Sequence, residues 1–202
     1  MLLLQSASAQ TVTIESWENT LDGWTVPPSY NAQPFTTSFS TTTGVTDGNY
    51  SLAITATSTA GPNYGQLLAG PSSQGLTTLL GQSTELYLDV YTPPGSFGYY
   101  LQFDFDINNA DTGYQSLDGY DYLSTTIGSE TTLSVPIPAS IESTLASSAN
   151  PTALFIQVGG GNSGVGDTMY LDNLRVIPEP STMALLGFGL LALVRLLPRR
   201  VR

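Results

Sequence analysis

Residues 84–108 read TELYLDVYTPPGSFGYYLQFDFDIN. In the first part Leu86, Leu88 and Val90 alternate with Glu85, Tyr87, Asp89 and Tyr91. In the last part Tyr99, Leu101, Phe103, Phe105 and Ile107 alternate with Gln102, Asp104 and Asp106. Successive side chains of a strand point to opposite faces, so this alternation gives one apolar and one polar face only in extended chain. Wound as a helix, the same residues would spread their apolar side chains around the whole circumference. Both segments are therefore predicted as half-buried strands. Pro93-Pro94-Gly95 interrupts them and reads as a hairpin connection, which would set their polar faces side by side.

The rest of residues 11–177 repeats the theme. QTVTIESW, PFTTSFST, YSLAITAT, YGQLLAG, YDYLSTTI, TTLSVPI, ALFIQVG and MYLDNLRVI are further strand candidates, separated by Gly, Pro, Asn and Asp clusters. ASIESTLASS, residues 139–148, is the exception and reads as one short surface helix. Short strands with frequent turn signals predict an all-β, two-sheet antiparallel sandwich.

The chain has 202 residues, of which 41% are hydrophobic and 10% charged. That apolar content supports a core, and the length suits one domain with flanking segments. The charged share is well below the ~25% of ordinary soluble domains. No Cys is present, which excludes disulfides and thiolate chemistry. A net charge of −11 excludes nucleic acid as a partner, since little could neutralise phosphates. Four of the five basic residues, Arg195, Arg199, Arg200 and Arg202, stand at the extreme C-terminus.

They follow an apolar run. Residues 181–197 are interrupted only by Arg195 and predict a helix at the short limit for crossing a bilayer. The arginines behind it would resist translocation and stay in the cytoplasm, which puts the body on the other side. At the other end, residues 1–9 contain Ala7-Ser8-Ala9, the small-x-small form of a signal-peptidase site, and read as the remnant of a signal peptide. The expected organisation is a leader (1–9), a sandwich domain (10–177) and an anchoring tail (178–202). Without leader and tail, Arg175 alone would stand against the body's carboxylates.

Pro178, Glu179 and Pro180, followed by an apolar helix and an Arg cluster, resemble the PEP-CTERM sorting signal of Gram-negative bacteria. The resemblance implies export, anchoring in the inner membrane and processing by an exosortase, with release to the cell surface or matrix. Such proteins are associated with exopolysaccharide and biofilm. A second resemblance rests on SWENTLDGWTV (16–26), VTDGNYSLAITA (45–56) and MYLDNLRVI (169–177), which are similar to edges of galactose-binding-like, carbohydrate-binding-module jelly rolls. It implies a jelly roll whose terminal strands pair, and a structural calcium ion held by Glu18, Asp172 and the Asp47 turn. Trp24 reads as core.

Enzyme chemistry has little to draw on. His, Cys and Lys are all missing, so only carboxylate pairs remain as acid–base groups. Asp104 and Asp106 lie about 6.6 Å apart by strand rise, near glycosidase spacing, but any such pair on a strand gives that value. The expectation is a non-enzyme. Tyr87, Tyr91, Gln102 and Asp104 form the candidate glycan-binding set, because flat aromatic rings beside planar hydrogen-bonding groups suit sugars. The aromatic cluster YDY (120–122), with Tyr114, could extend it. A looser acidic group of Asp106, Asp111, Asp118 and Asp121 is a weaker cation candidate. Neutral glycan binding is the leading reading; a structural or adhesive matrix protein is the alternative, and a glycosidase the least favoured.

Overall fold

A computed structural model describes residues 10–26, 35–57, 64–98, 101–120, 123–160 and 164–178. The strands are β1 (Val12–Glu15), β2 (Phe35–Ser40), β3 (Ser51–Ala56), β4 (Tyr64–Ala69), β5 (Ser83–Tyr91), β6 (Leu101–Asn109), β7 (Gly113–Ser116), β8 (Leu123–Thr125), β9 (Glu130–Pro136), β10 (Ala153–Gly160) and β11 (Thr168–Pro178). The helices are α1 (Gln74–Leu80) and α2 (Ala139–Ser147). Two antiparallel sheets result. One has the order β2-β3-β11-β5-β9 with β1 added to β11; the other has the order β4-β10-β6-β7 with β8 added to β6. First and last strands pair, Val12 opposite Val176, as the resemblance to jelly rolls implied. The predicted membrane helix 181–197, the leader, Glu179, Pro180 and the arginine cluster lie outside the described residues.

The alternation delivers the core. Leu86, Leu88 and Val90 of β5 meet Leu101, Phe103, Phe105 and Ile107 of β6 between the sheets, all buried. Each such side chain withdrawn from water contributes about 1.5–3 kcal/mol. Strand β11 carries a break in its period: Met169 and Leu171 point inward, and then Leu174 and Val176 do. A bulge between Asp172 and Arg175, with Asn173 at φ +51°, restores the phase.

The structure corrects the hairpin. β5 pairs with β11 and β9, whereas β6 pairs with β10, β7 and β8, so the two strands belong to different sheets. Residues 92–98 carry the chain across: Thr92 and Phe97 are buried, and the Phe97 N–H donates to Asp167 Oδ2 at 2.9 Å. Alternation specifies which face of a strand is buried and leaves its partner open. The helix at 139–147 is present, with Ile141 and Leu145 turned inward. Helix α1, only seven residues long, is not among the predicted elements; it starts at Ser73, whose hydroxyl accepts the Leu76 N–H at 3.0 Å.

Candidate functional site

The candidate glycan set divides between the sheets. Tyr87 and Tyr91 lie on the outer face of the six-stranded sheet, and Gln102 and Asp104 on that of the five-stranded one. Around the tyrosines the polar groups are already engaged with each other. Asp89 accepts from Arg175 Nη1 (2.9 Å), Asn173 Nδ2 (3.0 Å), Thr46 Oγ1 (2.9 Å) and Thr132 Oγ1 (2.7 Å). The Arg175 guanidinium sits 5.5 Å over the Tyr87 ring, the Tyr87 hydroxyl donates to Glu85, and Tyr91 packs on Tyr170 with centroids 6.2 Å apart. A sugar stacking on Tyr87 would compete with Arg175 for the ring.

Glu18, Asp47 and Asp172 do converge on the loop preceding β3, through backbone amides. Asp172 Oδ2 accepts from the N–H groups of Thr46 (2.6 Å) and Asp47 (2.8 Å), and its Oδ1 from that of Asn173 (2.7 Å). The Glu18 carboxylate accepts from the N–H of Asn49 (3.0 Å) and of Tyr50 (3.3 Å). Calcium requires six to eight oxygens, including carbonyls. Here the loop turns N–H donors toward both acids, and no three acidic groups among the described residues converge to hold a metal ion. This donor set does not fit calcium. It is a clamp that pins the loop to β11 and to the segment after β1. Burial raises the Asp172 carboxyl above its ordinary range, and the amide donors oppose that rise.

The five-stranded face holds a second polar cluster, in which three carboxylate oxygens lack a hydrogen-bond partner. Gln102, Asp104, Asp106 and Asn108 point outward from β6, opposite the buried Phe103 and Phe105. β7 sets Tyr114 opposite Asn108 and Ser116 opposite Asp106. β10 sets Gln157 opposite Asp104 and Phe155 opposite Asp106. Asp106 Oδ2 accepts from the Tyr114 hydroxyl at 2.8 Å and from Gln157 Nε2. Ser116 Oγ bridges Asp104 Oδ1 (3.0 Å) and Asp118 Oδ1 (2.7 Å), and Asp118 Oδ1 also accepts the Tyr120 N–H at 3.1 Å. Asp104 is 1% and Asp106 0% exposed. Even so, Asp104 Oδ2, Asp106 Oδ1 and Asp118 Oδ2 are buried without a hydrogen-bond partner. Burial, followed by Asp118 and then Asp106, pushes the Asp104 carboxyl up to about 7. Burial also raises Asp106, against the pull of Tyr114 and Gln157. Beside these acids lies an aromatic surface: Tyr114 is 42% exposed and packs on Phe155 at 5.6 Å, and Tyr120 is 54% exposed.

Asp104 and Gln102 thus keep their place in a candidate site, with Asp106, Tyr114, Ser116, Asp118 and Gln157 around them. Asp106, Tyr114 and Asp118 were visible in the sequence as an acidic and aromatic cluster; Asp111 instead binds Ser148 and Asn150 near α2, and Asp121 and Tyr122 lie outside the described residues. Gln157 was missed. Its only signal was its outward position between Ile156 and Val158, because its contact with Asp106 spans 51 positions of sequence.

A separate concavity of about 360 Å³ is lined by Thr13, Glu15, Asp22, Trp24, Pro71 and Ser73. Trp24 is buried, as expected, edge-on to Trp17 at 5.7 Å. Glu15 Oε1 is used by the N–H groups of Ser16 (3.0 Å) and Trp17 (2.7 Å).

Comparison with known proteins bears on both parts of the chain. Residues 176–200 match the PEP-CTERM protein-sorting motif. No curated sequence is significantly similar to this chain. Solved carbohydrate-binding modules share the fold. One, from a study of promiscuous specificity in the β-sandwich superfamily, aligns with a TM-score of 0.56 and 16% identity over 80% of this chain, which spans 60% of that structure's length. The CBM27-1 of Caldicellulosiruptor saccharolyticus, solved in complex with mannohexaose, aligns at 0.55 and 17% identity, covering 85% of this chain and 99% of that one. The family 11 module of a cellulosomal cellulase of Clostridium thermocellum aligns at 0.51 and 12% identity, covering 85% and 96%. The chain therefore carries a PEP-CTERM sorting motif behind a two-sheet β-sandwich whose fold is similar to that of solved carbohydrate-binding modules.

Proposed function

We propose that this is an exported, non-catalytic glycan-binding protein whose ligand lies on the outer face of the five-stranded sheet. The observation that carries this is the pairing, on one face, of the exposed aromatic rings of Tyr114 and Tyr120 with the solvent-reaching amide side chains of Gln102, Asn108 and Gln157, above buried acids of which Asp106 holds Tyr114 and Gln157 in place. Sugars need both: an apolar ring for their C–H faces and acceptors for their hydroxyls. With Asp104, Asp106 and Asp118 clustered beneath it and Arg175 bound to Asp89 on the other sheet, this face offers an anionic chain no cationic partner and favours neutral ones. The sorting motif supports export, anchoring by the tail and processing by an exosortase, so the ligand is sought outside the cytoplasm, in exopolysaccharide or a related neutral glycan. A calcium ion has no part in this reading.

The test is a glycan array probed with the full chain in a detergent free of sugar headgroups. Neutral oligosaccharides should bind and uronic-acid polymers should not. Tyr114→Ala should weaken the best binder about tenfold, a loss of roughly 1.4 kcal/mol, while Tyr87→Ala on the other sheet should leave affinity unchanged. Absence of binding to any neutral glycan would leave a structural or adhesive matrix protein.

A further inference from the structure

We infer that Asp104 is a carboxylic acid, protonated near neutral pH and donating to Asp118, and that its proton makes the affinity of this face for neutral glycans fall as pH rises. The second half rests on the glycan-binding reading above; the first does not.

The geometry favours a proton or a cation at this point. Asp104 and Asp118 share the Ser116 hydroxyl through their Oδ1 atoms, which holds the two carboxyl groups side by side. Their Oδ2 atoms, and Asp106 Oδ1, are buried without partners. A buried, unpaired carboxylate oxygen is costly, and adjacent ones repel. A proton on Asp104 Oδ2 turns it into a donor and gives the neighbouring carboxylate a partner. A metal ion would serve as well, but no three acidic groups among the described residues converge to hold one.

Among the described residues, no basic group offsets the acids. The titratable groups acting on Asp104, among the same residues, are Asp106 on its own strand and Asp118 from the turn after β7; the Tyr114 hydroxyl of β7 reaches Asp106, and Tyr120 meets Asp118 through its backbone N–H. β10 presents Gln157, and β8 contains only Leu123, Ser124 and Thr125. Burial and the two acids push Asp104 up to about 7, in keeping with the geometry. When Asp104 ionises, the neighbouring carboxylate of Asp118 loses the donor that partnered it. Repulsion also acts on Asp118, which holds the Tyr120 amide at 3.1 Å. The binding surface thereby loses the anchor of its aromatic turn.

The experiment has two arms, both on the full chain in sugar-free detergent with chelator. In the first, carboxyl-carbon NMR follows the Asp resonances of the unliganded protein from about pH 5 to 9. One resonance should titrate near neutrality and be absent in Asp104→Asn; Asp118→Asn should move its midpoint downward. In the second, calorimetry measures binding of mannohexaose, or of the best neutral binder on the array, at about pH 5.5 and 8.5. If only the protonated form binds and Asp104 titrates at about 7, the competent fraction falls from ~97% to ~3% and the apparent Kd rises about thirtyfold. Asp104→Asn, which keeps an N–H donor, should show a flat pH profile whatever its absolute affinity.

If every Asp resonance titrates in the ordinary range, the inference is overturned. It is equally overturned if millimolar calcium drives the Asp104 resonance to its ionised position at about pH 6, which would identify a cation site. A neutral titration with no glycan binding at any pH would sink the glycan reading and the affinity claim, while the protonated acid would stand. A neutral titration with pH-independent binding would remove the affinity claim alone.

Discussion

Gly48 shows how much one residue can depend on its lack of a side chain. It adopts φ +65°, and a Cβ there would collide with the Glu18 carboxylate that receives the Asn49 and Tyr50 amides. Gly48→Ala therefore faces both left-handed backbone strain and loss of the clamp. A cost of about 1–3 kcal/mol is expected, read as a lower melting temperature with an unchanged far-UV spectrum. Stability equal to wild type would mean that the clamp forms only transiently in solution. Asp172 has the opposite logic: a fully buried acid is tolerated because three backbone amides point at it.

Among the elements, the helices and the bulged last strand set the sandwich's edges. α1 and α2 approach closely at Gly81, where a Cβ would strike the backbone of Leu145 and Ala146. α1 is only seven residues long and depends on its Ser73 cap. Ser73→Ala should cost about 1 kcal/mol in denaturant unfolding; no measurable change would mean that packing alone holds the helix. On β11, the bulge at Asn173 lets one strand keep Met169, Leu171, Leu174 and Val176 inside while turning Asp172 toward the clamp and Arg175 toward Asp89.

For the whole molecule, charge is the dominant variable. Asp104 has an ordinary value of 3.8 and a folded value of about 7. The folded state holds its proton more tightly, so its contribution to stability is complete below pH 3.8 and is lost as pH rises through about 7. Burial shifts Glu15, Asp106 and Asp172 the same way. The net charge of −11 adds self-repulsion at high pH. The melting temperature should be higher at about pH 5 than at about pH 8; the reverse order would show that these acids are ionised in the fold. Chelator should not change the melting temperature at either pH. A fall on chelation would mean that calcium rearranges the residue 46–50 loop to present its carbonyls. A reporter fused after Arg202 should be active in the cytoplasm and inactive outside it, because the arginine cluster resists translocation.

Period-2 alternation was enough to read the class of fold, the buried faces of β5 and β6 and the outward direction of Asp104, because side-chain direction along a strand is a local property. The sorting tail was equally legible, since its three parts are contiguous. Strand partners were not. Tyr87 and Asp104 looked like neighbours across a hairpin, yet the 92–98 connection carries the chain from one sheet to the other. Pairing depends on contacts between distant segments, which alternation leaves open. The same non-local pairing brought Gln157 and Ser116 to the acids of β6, and put amides in place of carbonyls opposite Glu18 and Asp172. Residue types in the sequence named the chemistry available to this protein, and the packing of two sheets selected which acids were buried together and which were satisfied.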